Sequence, residues 1–92
     1  MREWRFEVTE ETESDLGKLD SSIRTRVLEK IKWFRENFDQ ITPLPLGGKW
    51  RGFFKLRVGD YRVIYEAERP ERVVTIHCID RRDKIYQRRR PK

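Results

Sequence analysis

Five basic residues, Lys49, Arg51, Lys55, Arg57 and Arg62, are spaced along the second half of the chain, with Trp50, Phe53 and Tyr61 set among them. Arginine grips a phosphate through two parallel N–H bonds, and lysine meets it as a mobile point charge. Aromatic rings between such cations offer stacking surfaces to unpaired bases. Trp50 and, further on, Tyr86 are read as the freest stacking surfaces, because neither falls on the apolar face expected below. The chemistry within reach is phosphate binding and, with a proton acceptor nearby, phosphodiester cleavage. Metal-free cleavage of RNA uses the ribose 2′-hydroxyl as nucleophile. It needs a base for that proton, positive charge on the phosphate oxygens and an acid for the leaving oxygen. A lysine serves as base where neighbouring cations disfavour its charge, and Lys55 has Arg57 and Arg62 for neighbours.

Other chemistries have less to draw on. His77, the one histidine, falls mid-strand among Val73, Thr75 and Ile79 and reads as structural. Cys78 shares the parity of Val74 and Ile76 and reads as a small buried residue. A single cysteine excludes a disulfide framework and a Cys-based zinc site. Asp60 belongs to a turn, and Glu66 and Glu68 share a strand, so the carboxylates form no ligand cluster. No metal and no cofactor is expected.

The charge is unevenly placed. The 92 residues carry 22 Lys/Arg and 16 Asp/Glu, a net +6. Residues 1–40 hold 8 Lys/Arg against 10 Asp/Glu, and residues 41–92 hold 14 against 6. That asymmetry points to one face that meets an anion, most often a nucleic acid. No apolar run approaches the roughly 20 residues of a membrane span. Met1-Arg2-Glu3-Trp4 lacks the apolar stretch of a signal peptide. With 12 % aromatic residues the chain is no disordered basic tail. A soluble, cytoplasmic, single domain over residues 1–92 is expected, with 41 % charged residues around a lean core.

The elements that must position these residues follow from periodicity. Trp4, Phe6 and Val8 alternate with Arg5 and Glu7, the pattern of a half-buried strand. Thr9 or Thr12 can cap a short helix whose acidic first turn suits its positive end, with Leu16 and Leu19 on its apolar side. Ser21 or Ser22 caps a second helix running to about Asn37, with Ile23, Val27, Ile31 and Phe34 inward and Arg24, Arg26, Glu29, Lys30, Lys32 and Arg35 in solvent. Ile41–Gly48, broken by Pro43 and Pro45, reads as a loop. Phe53–Val58 and Tyr61–Glu68 read as strands joined by Gly59-Asp60, and Val73–Ile79 as a third. The tail, residues 81–92, carries seven Lys/Arg against Asp83 alone.

A two-residue turn at Gly59-Asp60 fixes the hairpin register. Val58 then faces Tyr61, Leu56 faces Val63 and Phe54 faces Tyr65, an entirely apolar and aromatic face. On the other face Arg57 meets Arg62 and Lys55 meets Ile64. Like charges directly opposite are destabilising, so either an anion sits between the two arginines or both splay into water.

The run Lys55-Leu56-Arg57-Val58-Gly59-Asp60-Tyr61-Arg62-Val63-Ile64-Tyr65-Glu66, the preceding Leu-x-Gly loop, and Ile79-Asp80-Arg81-Arg82-Asp83-Lys84-Ile85-Tyr86 together resemble the RelE/ParE toxin superfamily over nearly the whole chain. The resemblance implies an α+β, RelE-like fold: a small antiparallel-rich sheet with an N-terminal strand and a helical hairpin packed on one face. It implies the toxin of a type II toxin–antitoxin system, of the RelE kind, an endoribonuclease that cuts messenger RNA in the ribosomal A site and is held inactive by an antitoxin. By that likeness Lys55 matches a catalytic lysine, Arg62 the arginine on the scissile phosphate, Arg81 the proposed general acid and Tyr86 the tyrosine that stacks on or orients the substrate. An arginine is a poor acid, so Arg81 would chiefly stabilise charge on the leaving oxygen. Lys49, Arg51, Arg57 and Arg82 are read as RNA-backbone contacts. Arg88-Arg89-Arg90 either binds ribosomal RNA or is a solvated end. The pattern departs at Phe53, where RelE carries a second lysine. The alternatives are a ParE-like inhibitor of DNA gyrase, or an inactive member that only binds partners.

Overall fold

The computed structural model describes residues 3–91. Its regular elements are β1 (Arg5–Val8), α1 (Glu10–Lys18), α2 (Ser21–Glu36), β2 (Leu44–Pro45), β3 (Phe54–Val58), β4 (Tyr61–Glu68) and β5 (Val73–Arg81). Short 3₁₀ turns cover Phe38–Gln40, Gly48–Trp50 and Ile85–Gln87. The five strands form one sheet in the order β1-β5-β4-β3-β2. Only β1 and β5 run parallel; the other pairs are antiparallel. The architecture is α+β, as the sequence implied.

The hairpin lies in the expected register, with Phe54 opposite Tyr65, Leu56 opposite Val63, Val58 opposite Tyr61 and Arg57 opposite Arg62. Gly59 has φ +58, the left-handed first position of a type II′ turn, which matches the twist of the flanking strands. Several boundaries differ from expectation: β3 begins at Phe54 rather than Phe53, and β5 runs on past Ile79 to Arg81. The Ile41–Gly48 loop contains the two-residue edge strand β2, paired to β3 through Leu44 and Lys55. The N-cap of α2 is Asp20 rather than a serine.

The helices cover one face of the sheet. Thr9 caps α1 by accepting from the Thr12 N–H at 3.1 Å, and the acidic first turn suits the positive helix end. Val27 and Phe34 of α2 are fully buried against Leu56, Val63, Tyr65, Val74 and Ile76. Each such side chain contributes about 1.5–3 kcal/mol of transfer free energy. Arg24, expected in solvent, turns inward and donates to the Leu16 and Leu19 carbonyls at 2.8 Å each. It thereby satisfies the orphan acceptors at the end of α1.

Strand β1 reaches only as far as Ile76 on β5. Beyond it, side chains take over the strand's open edge. Thr12 Oγ1 donates to the Ile76 carbonyl at 2.8 Å, Thr9 Oγ1 donates to the His77 carbonyl at 2.9 Å, and the Asp15 carboxylate accepts from the Ile79 N–H at 2.8 Å. That is why Thr12 and Asp15 are the buried polar residues of a helix otherwise rich in surface groups.

The second face of the sheet is also covered. Trp50, Phe53, Ile64, Cys78 and Ile85 form a separate buried cluster, with Leu46 and Tyr86 packed on it. A β-bulge creates this arrangement. Ile64 pairs with Cys78 but Tyr65 pairs with Ile76, so His77 is an extra residue that reverses the inward–outward alternation. Cys78 is buried as expected, but on the face opposite Val74 and Ile76; Ile79 correspondingly joins the helical core. The bulge, invisible in simple alternation, is the physical reason.

Candidate functional site

The face turned away from the helices carries alternate residues of the hairpin. Strand β3 presents Arg57, Lys55 and, just before its start, Phe53; β4 presents Arg62, Ile64 and Glu66; β5 presents Asp80 and Cys78. The middle of this face is sealed by the second cluster. Its margins are basic.

Lys55 lies at one margin. It helps line a shallow cleft of about 380 Å³ together with Pro45, Leu46, Gly47, Trp50 and Tyr86. The side chain is half-buried, and no hydrogen bond or ion pair holds it among the described residues. Tyr86 is brought into the same cleft by the 3₁₀ turn Ile85–Gln87, whose Ile85 is wholly buried on the sheet. The Tyr86 ring packs edge-on to Trp50 at 6.4 Å, and its hydroxyl is shielded from water with no partner among the described residues. Two residues 31 positions apart thus share one wall because the tail folds back over β3 and β4.

Trp50 requires a correction. It is 3 % exposed. Its indole packs on Phe53 and its Nε1 lies 3.5 Å from the Tyr86 carbonyl. It is a core residue rather than a stacking platform. The hairpin register could not reveal this, because the second cluster is completed by Trp50, Cys78 and Ile85 from segments outside the hairpin. Tyr86 likewise has its hydroxyl enclosed, so it offers a wall rather than a free ring.

At the turn end of the face, Arg57 and Arg62 stand opposite each other. They relieve the repulsion differently. Arg62 bends back so that Nη1 donates to the Gly59 and Tyr61 carbonyls at 2.9 and 2.8 Å. Arg57 extends into solvent without a partner among the described residues. The Arg62 fork keeps further N–H donors beyond Nη1. Register leaves Lys55 diagonal to Arg62 on the same face, about 7–8 Å apart.

Arg81 is not brought to this face. It pairs with Tyr61, whose side chain packs with the helical core, and its Nε lies 3.6 Å from Asp83. The residue on the site face at that end of β5 is Asp80, opposite Arg62. Arg82 is exposed just beyond, its N–H bonded to the Asp60 carbonyl at 2.8 Å. Together Arg81 and Arg82 edge a small cleft with Asp60 and Asp83 at the corner of the sheet. Lys49 and Arg51 are exposed at the opposite end, beside the start of β3. The sequence-selected cations therefore fall into two groups: Lys49, Arg51 and Lys55 at one end, and Arg57, Arg62, Arg81 and Arg82 at the other.

His77 is held in place rather than set free. Its Nε2 lies 2.8 Å from Glu66 Oε1, and its ring meets Phe53 edge-on at 5.3 Å. The tail arginine Arg88 is a structural tie. It reaches Glu11, Asp15 at 3.1 Å, Asp80 at 3.4 Å and the Ile79 carbonyl at 3.0 Å. Burial opposes its charge, and the hydrogen bonds it donates to Asp15 and Glu11 more than offset this and raise its pKa. Sequence reading left Arg88 among three equal arginines, and only the fold separates it from Arg89.

Likeness to known proteins bears on the fold and the family. No curated protein sequence matches the chain. Among solved structures, the chain is similar to one in the RelBE2 toxin–antitoxin complex of Mycobacterium tuberculosis, at 26 % identity and TM-score 0.75, covering 88 % of this chain and 100 % of that one. It shares the fold of the archaeal RelE–RelB complex from Pyrococcus horikoshii at 22 % identity and TM-score 0.67, covering 88 % and 97 %. It also shares that of the isolated E. coli RelE toxin at 19 % identity and TM-score 0.68, covering 91 % and 92 %. Residues 6–86 match the model of the family described as the ParE toxin of type II toxin–antitoxin systems, parDE. The chain belongs to that family, as a type II toxin of the RelE/ParE superfamily.

Proposed function

We propose that this toxin is a ribosome-dependent endoribonuclease that cuts messenger RNA in the A site and so stops translation, working in the cytoplasm and held inactive by a cognate antitoxin. The reading rests on one observation above the others: Lys55 and Tyr86 line the same cleft, with Arg57 and Arg62 next along the same face. As Lys55 takes the 2′-hydroxyl proton, that oxygen bonds to phosphorus and the bond to the 5′-oxygen breaks, the departing oxygen taking its proton from water. Arg57 and Arg62 hold the phosphate oxygens and stabilise the charge that builds on them. The Tyr86 ring walls the cleft beside Lys55 and orients the nucleotide placed there. Arg81 and Arg82, at the sheet corner, grip the RNA backbone, as do Lys49 and Arg51 at the other end. Charge stabilisation at the phosphate is supplied by these side chains, without a metal ion. An antitoxin partner is in keeping with the toxin–antitoxin complexes among the structural neighbours.

A second reading, a ParE-like inhibitor of DNA gyrase, is favoured by the family matched and by Phe53, which is buried and brings no second lysine to the site. Induced expression in bacteria, with messenger RNA 5′ ends mapped on translating ribosomes, separates the two. The nuclease reading expects A-site cuts that fall by about 10²–10⁴-fold in Lys55→Ala, the usual worth of a positioned base. Growth arrest with altered DNA supercoiling and no cuts would sink it in favour of the gyrase reading.

A further inference from the structure

The tail returns a cation to the site face at the one position of the β3 column that has none of its own. Down that column the alternate residues are Arg57, Lys55 and Phe53, two cations and a ring. Arg90 lies over this ring, its guanidinium carbon 5.0 Å from the Phe53 centroid, and its Nη2 donates to the Arg51 carbonyl at 3.3 Å. A guanidinium stacked on an aromatic face keeps its edge donors free for a planar anion. Arg90 has no carboxylate partner among the described residues, so its charge is not neutralised there. The chain just before it is fixed: Arg88 is tied into Glu11, Asp15 and Asp80.

We propose that Arg90 is a phosphate-binding residue of this site, oriented by the Phe53 ring and continuing the line of Arg57 and Lys55 toward Arg51 and Lys49. The proposal rests on the reading that this face takes RNA. Alternate residues of a strand are about 6.7 Å apart, so Arg90 stands one such step beyond Lys55. It serves a nucleotide flanking the scissile one, where its contribution is to hold the strand rather than to move protons.

The test uses the full chain in two assays. In the first, single-turnover cleavage of messenger RNA on programmed ribosomes, Arg90→Ala lowers kcat/KM about tenfold, the scale of one charge-assisted hydrogen bond. Lys32→Ala, an equal loss of charge on the helical side, leaves the rate unchanged. Phe53→Leu, with folding checked by thermal melting, lowers the rate similarly, and adding Arg90→Ala to it costs little more, the non-additivity of two residues acting as one unit. In the second, binding of a short synthetic single-stranded RNA is titrated with salt. Arg90→Ala reduces the slope of log K against log salt by about 0.7, one phosphate contact. A parent that cuts no RNA on ribosomes overturns the nuclease reading but leaves the salt slope to judge Arg90. Unchanged rate and unchanged slope in Arg90→Ala, or a parent that binds no RNA, overturn the assignment of Arg90.

Discussion

Tyr86 and Cys78 illustrate how a residue's surroundings set its chemistry. The Tyr86 hydroxyl is enclosed without a partner among the described residues, and a buried unsatisfied hydroxyl adds nothing to stability. Tyr86→Phe should therefore keep the urea midpoint at or above that of the parent and, on the nuclease reading, leave cleavage unchanged, because the ring that walls the cleft stays. A loss of more than about 1 kcal/mol would mean that the hydroxyl is bonded after all. Burial pushes the Cys78 thiol up to about 12, with smaller opposing and reinforcing contributions from Arg88 and from Glu11, Asp15 and Asp80. Burial likewise pushes the Tyr65 phenol up to about 12. In both cases the unfolded chain releases its proton first. The stabilisation is complete below the unfolded pKa, near 9.0 for Cys78 and 10.0 for Tyr65, and is lost as pH rises through the folded value. Each group then lowers stability by about 1.4 kcal/mol per pH unit within its window. Denaturant melts above pH 9 should show this decline, and Cys78→Ala should delay its onset. An identical onset in the variant would refute the assignment.

At the scale of elements, α1 does the work of a missing strand. Because β1 ends opposite Ile76, the Ile79 N–H depends on Asp15, which also holds Arg88. Asp15→Ala strips both partners and should cost about 3–5 kcal/mol, as removing one side of a buried ion pair does. Asp15→Asn can still accept from Ile79 but loses the charge facing Arg88, so it should cost less; urea unfolding measures the difference. Equal effects would mean that the ion pair contributes nothing. The same carboxylate fixes the tail that carries Tyr86 and Arg90, which links the stability of α1 to the cleft on the far side of the sheet.

At the scale of the molecule, one sheet supports two apolar layers, the helices on one face and the folded-back tail on the other. The layers share strands β4 and β5, so they should melt as one cooperative unit. Ile85, wholly buried on the second face, pins the tail. Ile85→Ala should cost about 2–5 kcal/mol and, on the nuclease reading, lower cleavage by loosening the wall that Tyr86 forms. Far-UV circular dichroism and tryptophan fluorescence should still give coincident transitions. Two separate transitions would instead show that the tail layer unfolds alone.

Residue pattern alone determined the scaffold. Period-two alternation and Gly59 set the hairpin register, and the 3.6-residue spacing of Val27 and Phe34 turned α2 onto the sheet. These signals are local: each element's periodicity states which side it must bury. From the same register came the basic column of Lys55, Arg57 and Arg62. What tertiary structure decided was everything that depends on distant segments meeting. The bulge at His77 moved Cys78 to the second face and Ile79 to the first. Trp50 became core because Ile85 and Phe53 close around it. Arg81 was turned away from Arg62 by its pairing with Tyr61, while Arg88 and Arg90, alike in sequence, became an anchor and a free cation over the site. A side chain's role in these cases depends on which strand, ring or carboxylate lies across from it, and only the folded chain brings those partners together.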